Sequence, residues 1–305
     1  MASSNILNAG KLIRPLITAR ELGGVLGAVK VLDASWYLPN SELKGQQEYE
    51  GGHLRGALYF DVDQVADKTS QLPHMLPGFV EFSLAMSGLG LRSSDPIVVY
   101  DRLGSLFSAP RVWWMLRAYG HSNVALVDGG YAACLKEQLP VEVGERLPEP
   151  TSEAYLPLKR PLMYATKEQV RSQVDSPEAS VVILDARPAD RFSGSVPEVR
   201  PGVASGHIPG SKNMPLSTLY SNEQISPEGA WKKPDQLLAL FQRQHIDLRT
   251  TSFLTTCGSG MTACSLGFAL HLIHLAYPEY PGEFRVYDGS WAEWGSDPSS
   301  PIAKG

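Results

Sequence analysis

The sequence predicts an α/β protein built from two tandem copies of one domain, each a parallel sheet with helices on both faces. Three observations carry that expectation. The chain has 305 residues, more than one compact core usually holds. Four short motifs recur in the same order: Val31-Leu32-Asp33-Ala34-Ser35 as Ile183-Leu184-Asp185-Ala186-Arg187, Gly52-His53-Leu54-Arg55-Gly56-Ala57 as Gly206-His207-Ile208-Pro209-Gly210-Ser211, Ile97 to Asp101 as Phe253 to Cys257, and Asp128-Gly129-Gly130 as Asp288-Gly289-Ser290. Their offsets are 152, 154, 156 and 160 residues, a drift that small insertions explain. Within each half, short β-branched runs alternate with helix-length amphipathic stretches, the pattern of strand–helix–strand units.

In the first half the strand-like runs are VKVLDA, PIVVYD and NVALVDGG, and the stretch from Ser108 to Tyr119 reads as a helix. Residues 138–163 hold Pro140, Pro148, Pro150, Pro157 and Pro161, which favour an extended, helix-poor linker. The expected division is therefore a domain over 1–137, a linker over 138–163 and a second domain over 164–305. In the second half, Phe253 to Thr256 reads as a strand, Cys257 to Thr262 as a tight loop, and Ala263 to Ile273 as a helix. The folded pattern is expected to begin near Leu16. The basic start, with Lys11, Arg14 and Arg20, reads as a solvated tail, although it faintly resembles a mitochondrial presequence.

Composition narrows the function. Charged residues make up 19% of the chain, the net charge is −5, and Lys and Arg form no basic run, so a nucleic-acid partner is not expected. No apolar run is long enough to cross a bilayer, which argues against a membrane span. Cys134, Cys257 and Cys264 cannot close a disulfide framework, and none has zinc-ligand spacing. A reducing compartment and no metal follow, the cytoplasm being the first expectation and the mitochondrion the alternative.

In parallel sheets, ligands sit beyond the carboxyl ends of the strands. Cys257 occupies such a place. Glycines in the loop let backbone N–H groups turn inward, and the following helix adds unpaired donors and its positive dipole end. That setting favours a thiolate and would cradle the outer sulfur of a persulfide. A lone cysteine is as readily a small buried hydrophobe. The phosphate-loop ending Gly-Lys-Ser/Thr is absent, and a cysteine phosphatase would need arginine where Ala263 stands. The first half carries Asp101 at the cysteine's place, so one half reads as catalytic and the other as supportive.

Across roughly 16–295 the chain resembles the rhodanese superfamily, and within it the 3-mercaptopyruvate sulfurtransferases. The residues that carry the resemblance are VLDASWYLP at 31–39, GGHLRGALYFDVDQVADKTSQLPHMLPG at 51–78, SAPRVWWMLRAYGH at 108–121, CGSGMTAC at 257–264 and VYDGSWAEWG at 286–295. The resemblance implies two tandem rhodanese-like domains and sulfur transfer through a Cys257 persulfide with no cofactor. Mercaptopyruvate-type loops read CGSG, then Val or Met, then Thr; thiosulfate-type loops carry Arg and Lys after the cysteine, where Gly258 and Ser259 stand here. Met261 for the commoner Val is an apolar exchange expected to affect packing. Gly258, Gly260, Met261 and Thr262 are thus expected to line the donor, 3-mercaptopyruvate.

Arg191 and Arg200 match the family's substrate arginines, and guanidinium forks suit a planar carboxylate beside a ketone. Arg187 or Arg191 could instead be a surface ion-pair partner, and Arg200 a solvated arginine in a polar loop. The resemblance also implies a Ser259/His74/Asp63 proton relay; otherwise His74 caps a loop and Asp63 binds nearby backbone amides. Trp113, Trp114, Trp291 and Trp294 read as core or interface packing, and Arg111 either matches a family position or pairs with an acid at a domain interface. Expected sulfur acceptors are small thiols, thioredoxin or cyanide. The rival readings are thiosulfate:cyanide sulfurtransfer and a non-catalytic binding module.

Overall fold

The β-branched runs become strands, and the two halves string their elements in the same order. The computed structural model describes residues 6–149, 151, 153–158, 160–221 and 231–305. The first half runs β1 (Leu16–Thr18), α1 (Ala19–Gly23), β2 (Lys30–Asp33), α2 (Gly45–Gly51), β3 (Leu58–Tyr59), α3 (Phe79–Gly88), β4 (Ile97–Tyr100), α4 (Ala109–Ala118), β5 (Val124–Asp128) and α5 (Gly130–Lys136). The second runs β6 (Tyr164–Ala165), α6 (Lys167–Asp175), β7 (Val181–Asp185), α7 (Ala189–Ser193), β8 (Lys212–Asn213), α8 (Pro234–Arg243), β9 (Ser252–Thr256), α9 (Ala263–Ala276), β10 (Phe284–Tyr287) and α10 (Ser290–Trp294).

Each half forms one five-stranded sheet, in the orders β1-β5-β4-β2-β3 and β6-β10-β9-β7-β8, with every neighbouring pair parallel. The two-domain α/β expectation holds. Parallel sheets covered on both faces need strands apolar on both sides, and all four residues of β4 are buried. In the second sheet Asp185 of β7 lies opposite Thr256 of β9, as Asp33 of β2 lies opposite Tyr100 of β4 in the first. Central strands β4 and β9 thus deliver Asp101 and Cys257 to the same edge of their sheets. The four tryptophans read as packing residues are indeed almost wholly buried.

Side chains repeat as well as strands. His53 stacks on Tyr49 with ring centroids 4.0 Å apart and meets the Tyr49 carbonyl through Nδ1 at 3.0 Å. His207 stacks on Phe192 at 3.8 Å and meets its carbonyl at 2.8 Å. The Gly-His motif is therefore a packing device in both halves.

The basic start is not a solvated tail. Leu7–Asn8 and Lys11–Leu12 pair as a small antiparallel hairpin, and Ile6, 1% exposed, joins the first core with Ile17 and Leu22. Arg14 pairs with Glu21 and Arg20 with Glu137, so these cations are held by acids of the folded first half. In the linker, Val141–Glu142 pairs with His53–Leu54.

Among the described residues, the chain divides into two compact units. The first holds the residues up to Lys68, then Leu76–Arg160, and Trp231; the second holds Thr69–Met75, the residues from Pro161 to 221, and Lys232–Gly305. Each unit therefore takes in residues from the other half. Both departures fall between the third strand of a repeat and the helix after it. Within the first unit, Trp231 is buried; its indole N–H donates to the Ser105 carbonyl at 3.2 Å and its backbone N–H to Asp128 at 2.9 Å.

Candidate active site

Strand β9 ends at Thr256, and the loop 257–262 turns directly into α9, a helix of 14 residues. Cys257 is 2% exposed, and Ser259, Gly260 and Met261 are buried with it. Gly260 takes φ +76°, a backbone conformation that L side chains rarely adopt, which is why the second loop glycine is needed. Cys264, the second residue of α9, donates its S–H to the Gly260 carbonyl at 3.2 Å. The start of the loop is held from α10: the Trp291 N–H donates to the Cys257 carbonyl at 3.0 Å and the Ala292 N–H to the Gly258 carbonyl at 2.9 Å.

Ser290 adds a third tie that the sequence did not flag. Its Oγ accepts the Cys257 N–H at 3.2 Å and donates to the Tyr287 carbonyl at 2.8 Å. It does so at φ +50°, strained for a serine. The matching position in the first half is Gly130, where a Cβ would lie 2.3 Å from the Asp101 carbonyl oxygen. This Gly-to-Ser difference was visible in the sequence where Asp128-Gly129-Gly130 recurs as Asp288-Gly289-Ser290.

What the loop can stabilise is displayed in the first unit. The Asp101 carboxylate, at the cysteine's place, is folded back into its own loop. Oδ1 accepts the N–H groups of Leu103 and Ser105 at 2.8 Å each, and Oδ2 those of Phe107, Ser108 and Ala109 at 3.2, 2.9 and 2.9 Å. A turn after the central strand that feeds a helix is thus an anion cradle, here filled by a carboxylate. The second unit keeps the strand–loop–helix arrangement and carries a thiol at that position.

The two expected arginines reach the loop. A methyl group on Gly258 would lie 3.2 Å from Arg191 Nη2 and 3.8 Å from Arg200 Nη1, so the absent side chain leaves room for both guanidinium groups. Arg191 comes from α7, and its guanidinium is paired with Glu198, a carboxylate only 3% exposed. The other side of Glu198 accepts from Arg187 Nη1 at 2.7 Å. Arg187, 1% exposed, grips Asp185 through Nε at 2.9 Å and Nη2 at 2.7 Å, and lies over the Trp291 ring at 4.4 Å. Arg187 is therefore a buried structural cation. The first half solves the same problem from another position: Arg102 lies over Tyr131 at 4.1 Å and donates to the carbonyls of Glu48 and Gly52, as Arg187 donates to Gly206. Glu198 was missed because nothing distinguishes it from other acids in a polar loop.

His74 belongs to the second unit with Cys257 and Ser259, is buried, and adopts φ +61°. Asp63 belongs to the first unit, where its carboxylate accepts the Trp36 indole N–H at 2.7 Å. The local capping expected of Asp63 is performed by Asp61, which accepts the N–H groups of Asp63 and Gln64. Arg111 is wholly buried, with its guanidinium over Trp114 at 4.6 Å. Among the described residues, no cluster of three His, Cys, Asp or Glu side chains has the arrangement to hold a metal ion, and no helix is long and apolar enough to cross a membrane.

Known proteins share this architecture. The rhodanese-like domain family matches the chain twice, over residues 26–137 and 166–297. The chain belongs to the rhodanese family. Among rhodanese relatives, the 3-mercaptopyruvate sulfurtransferase of Mus musculus is 39% identical over 293 residues, spanning 94% of this chain and 93% of that protein. Thiosulfate/3-mercaptopyruvate sulfurtransferase 1, mitochondrial, of Arabidopsis thaliana is 36% identical, over 90% of this chain and 73% of that one. The crystal structure of SseA from Escherichia coli, a 3-mercaptopyruvate sulfotransferase with the rhodanese fold, superposes with a TM-score of 0.77 at 34% identity, covering 91% of this chain and 98% of that one.

Proposed function

We propose that the protein is a 3-mercaptopyruvate sulfurtransferase that carries sulfane sulfur on Cys257. The observation that carries this reading is the pairing of a buried cysteine loop without cations of its own with two guanidinium groups gathered at Gly258. Mercaptopyruvate is a small monoanion whose carboxylate and ketone lie in one plane, and two forked donors fit it. The relatives that span nearly the whole chain carry the same activity in their names.

With the donor's carboxylate and ketone on Arg191 and Arg200, the Cys257 thiolate attacks the donor sulfur. The S–S bond forms as the C–S bond breaks, and the bonding pair passes to carbon as the pyruvate enolate. The proton given up by the donor thiol ends on that carbon, releasing pyruvate and leaving an anionic persulfide. Amides of the loop 257–262 and the first turn of α9 hold its outer sulfur, as the first-unit loop holds Asp101. Ser259 passes the proton with His74 as its partner, and Asp63 stays the third residue of the relay we propose. Gly258, Gly260, Met261 and Thr262 shape the donor's seat.

In the second half-reaction an acceptor thiolate, from a small thiol or thioredoxin, or cyanide, attacks the outer sulfur. Cys257 leaves with the bonding pair and is restored. The boundaries 1–137, 138–163 and 164–305 remain our proposed domain division. A compartment that keeps thiols reduced, cytoplasm or mitochondrion, suits this chemistry.

The test is pyruvate release from 3-mercaptopyruvate with a reducing thiol, beside thiocyanate release from thiosulfate and cyanide. Dominant pyruvate formation that vanishes in Cys257→Ser supports the reading. Preference for thiosulfate, or turnover of neither donor, overturns it.

A further inference from the structure

Arg191 has a long, flexible side chain on a five-residue helix, and it is 18% exposed. Left to itself such a side chain samples many rotamers, and ordering it on binding weakens affinity. Here a chain of alternating charges removes that freedom. Asp185, at the end of β7, fixes Arg187 through two nitrogens; Arg187 fixes Glu198; and Glu198 takes both Nε (3.4 Å) and Nη2 of Arg191. The series runs from a sheet strand to the guanidinium 3.2 Å from the methyl position of Gly258. Glu198 is its only link that touches both arginines, and its burial keeps water from loosening the grip.

Glu198 also sets the charge of the site. Asp185 and Arg187 cancel, as do Glu198 and Arg191, so the guanidinium beside Gly258 is already matched by a carboxylate. That pairing limits the attraction the site offers a second negative charge on the donor. A dianion such as thiosulfate would gain more from a site in which Glu198 were neutral.

Resting on the mercaptopyruvate reading above, we propose that Glu198 is the positioning residue that aims Arg191 at the donor and biases the site toward a planar monoanion over a dianion. It acts through Arg191 and touches no reacting atom.

The experiment compares wild type, Glu198→Gln, Glu198→Asp, Arg191→Met and the double variant Arg191→Met/Glu198→Gln. Pyruvate release, thiocyanate release from thiosulfate, and cyanide discharge of preloaded persulfide are measured for each, with thermal melting as a check on folding. Glu198→Gln is expected to raise KM for mercaptopyruvate about tenfold with kcat within about threefold, because ground-state positioning is lost. The ratio of kcat/KM for mercaptopyruvate over thiosulfate falls about thirtyfold or more. Discharge of the persulfide stays within about twofold, since the donor has already left. Glu198→Asp, which keeps the charge on a shorter arm, recovers part of the lost KM. In the Arg191→Met background, Glu198→Gln has little further effect on mercaptopyruvate KM.

An unchanged KM and donor ratio in Glu198→Gln overturns the proposal. So does a loss shared equally by donor turnover and persulfide discharge, or full additivity in the double variant, because either marks a general structural role. Should Glu198→Gln not fold, the same readouts on Glu198→Asp decide. A wild type that releases no pyruvate at all refutes the functional reading itself, whereas a normal wild type with indifferent Glu198 variants refutes only this proposal.

Discussion

Replacing Asp101 by Ala tests whether this loop type is built around an anion. The substitution removes the acceptor of five backbone N–H groups at once. Three of those amides belong to the buried residues Ser105, Ser108 and Ala109. A buried donor left without an acceptor costs about 1–3 kcal/mol. Three would sum to several kcal/mol, and partial relaxation of the loop brings the expected loss to about 3–5 kcal/mol, at the high end for a single substitution. Unfolding of a chain with two units is not an all-or-none transition, so a single melting temperature does not report this number. Native-state hydrogen exchange does, with the amides of 103–109 as reporters and those of β9 and α9 as internal controls. At about 1.4 kcal/mol per factor of ten, protection at 103–109 should fall at least about a hundredfold. Asp101→Asn keeps one acceptor oxygen but turns an NH2 toward the remaining amides, so it should lose protection on one side of the loop. A loss below tenfold in Asp101→Ala, or an Asp101→Asn variant equal to wild type, would refute the cradle argument for both units.

Gly258→Ala places a methyl 3.2 Å from Arg191 Nη2, and because Glu198 holds that guanidinium, yielding is costly; KM for mercaptopyruvate should rise about tenfold with the fold intact, checked by steady-state kinetics and circular dichroism. Asp33 and Asp185 occupy equivalent places with opposite consequences. Burial pushes the Asp33 carboxyl above its ordinary 3.8, so the folded state favours the protonated form and loses stability as pH rises through that value and beyond. Asp33→Asn should therefore be at least as stable as wild type at neutral pH, whereas Asp185→Asn leaves the buried Arg187 to share Glu198 with Arg191 and costs about 3 kcal/mol; denaturation at pH 4 and 7 separates the two. Burial likewise pushes the Cys134 thiol from 9.0 to about 12. It should resist iodoacetamide at pH 8 in the folded protein, and Cys134→Ala should remove part of the stability lost as pH rises from about 9 toward 12.

The features legible in sequence were those encoded by local pattern or internal repetition. The strand, loop and helix around Cys257 could be placed because a β-branched run, two glycines and an apolar helix follow one another, and the repeat fixed which strand of each half was equivalent. Arg191 and Arg200 were named from the family resemblance, and the structure brings both to Gly258. The hidden features depend on contacts between distant positions. Glu198 is one of 32 acidic residues until Arg187 and Arg191 are seen on either side of it. Asp101 looked like a lost nucleophile, and only the hydrogen bonds reveal it as a resident anion. Ile6 was obscured by neighbouring cations that pair with acids from α1 and the end of α5.

The exchange of Thr69–Met75 and Trp231 between halves bears on how the protein is made. Domains usually fold as they leave the ribosome, the N-terminal one first. Here the first unit cannot close over the Ser105 carbonyl until Trp231 has been synthesised, well into the second half. His74, by contrast, emerges early and waits for the unit it joins. A nascent chain halted at the linker would hold a first sheet with an uncapped Asp101 loop, and a second half expressed alone would lack His74. Each half of the sequence thus supplies a short piece of the unit built mainly from the other half.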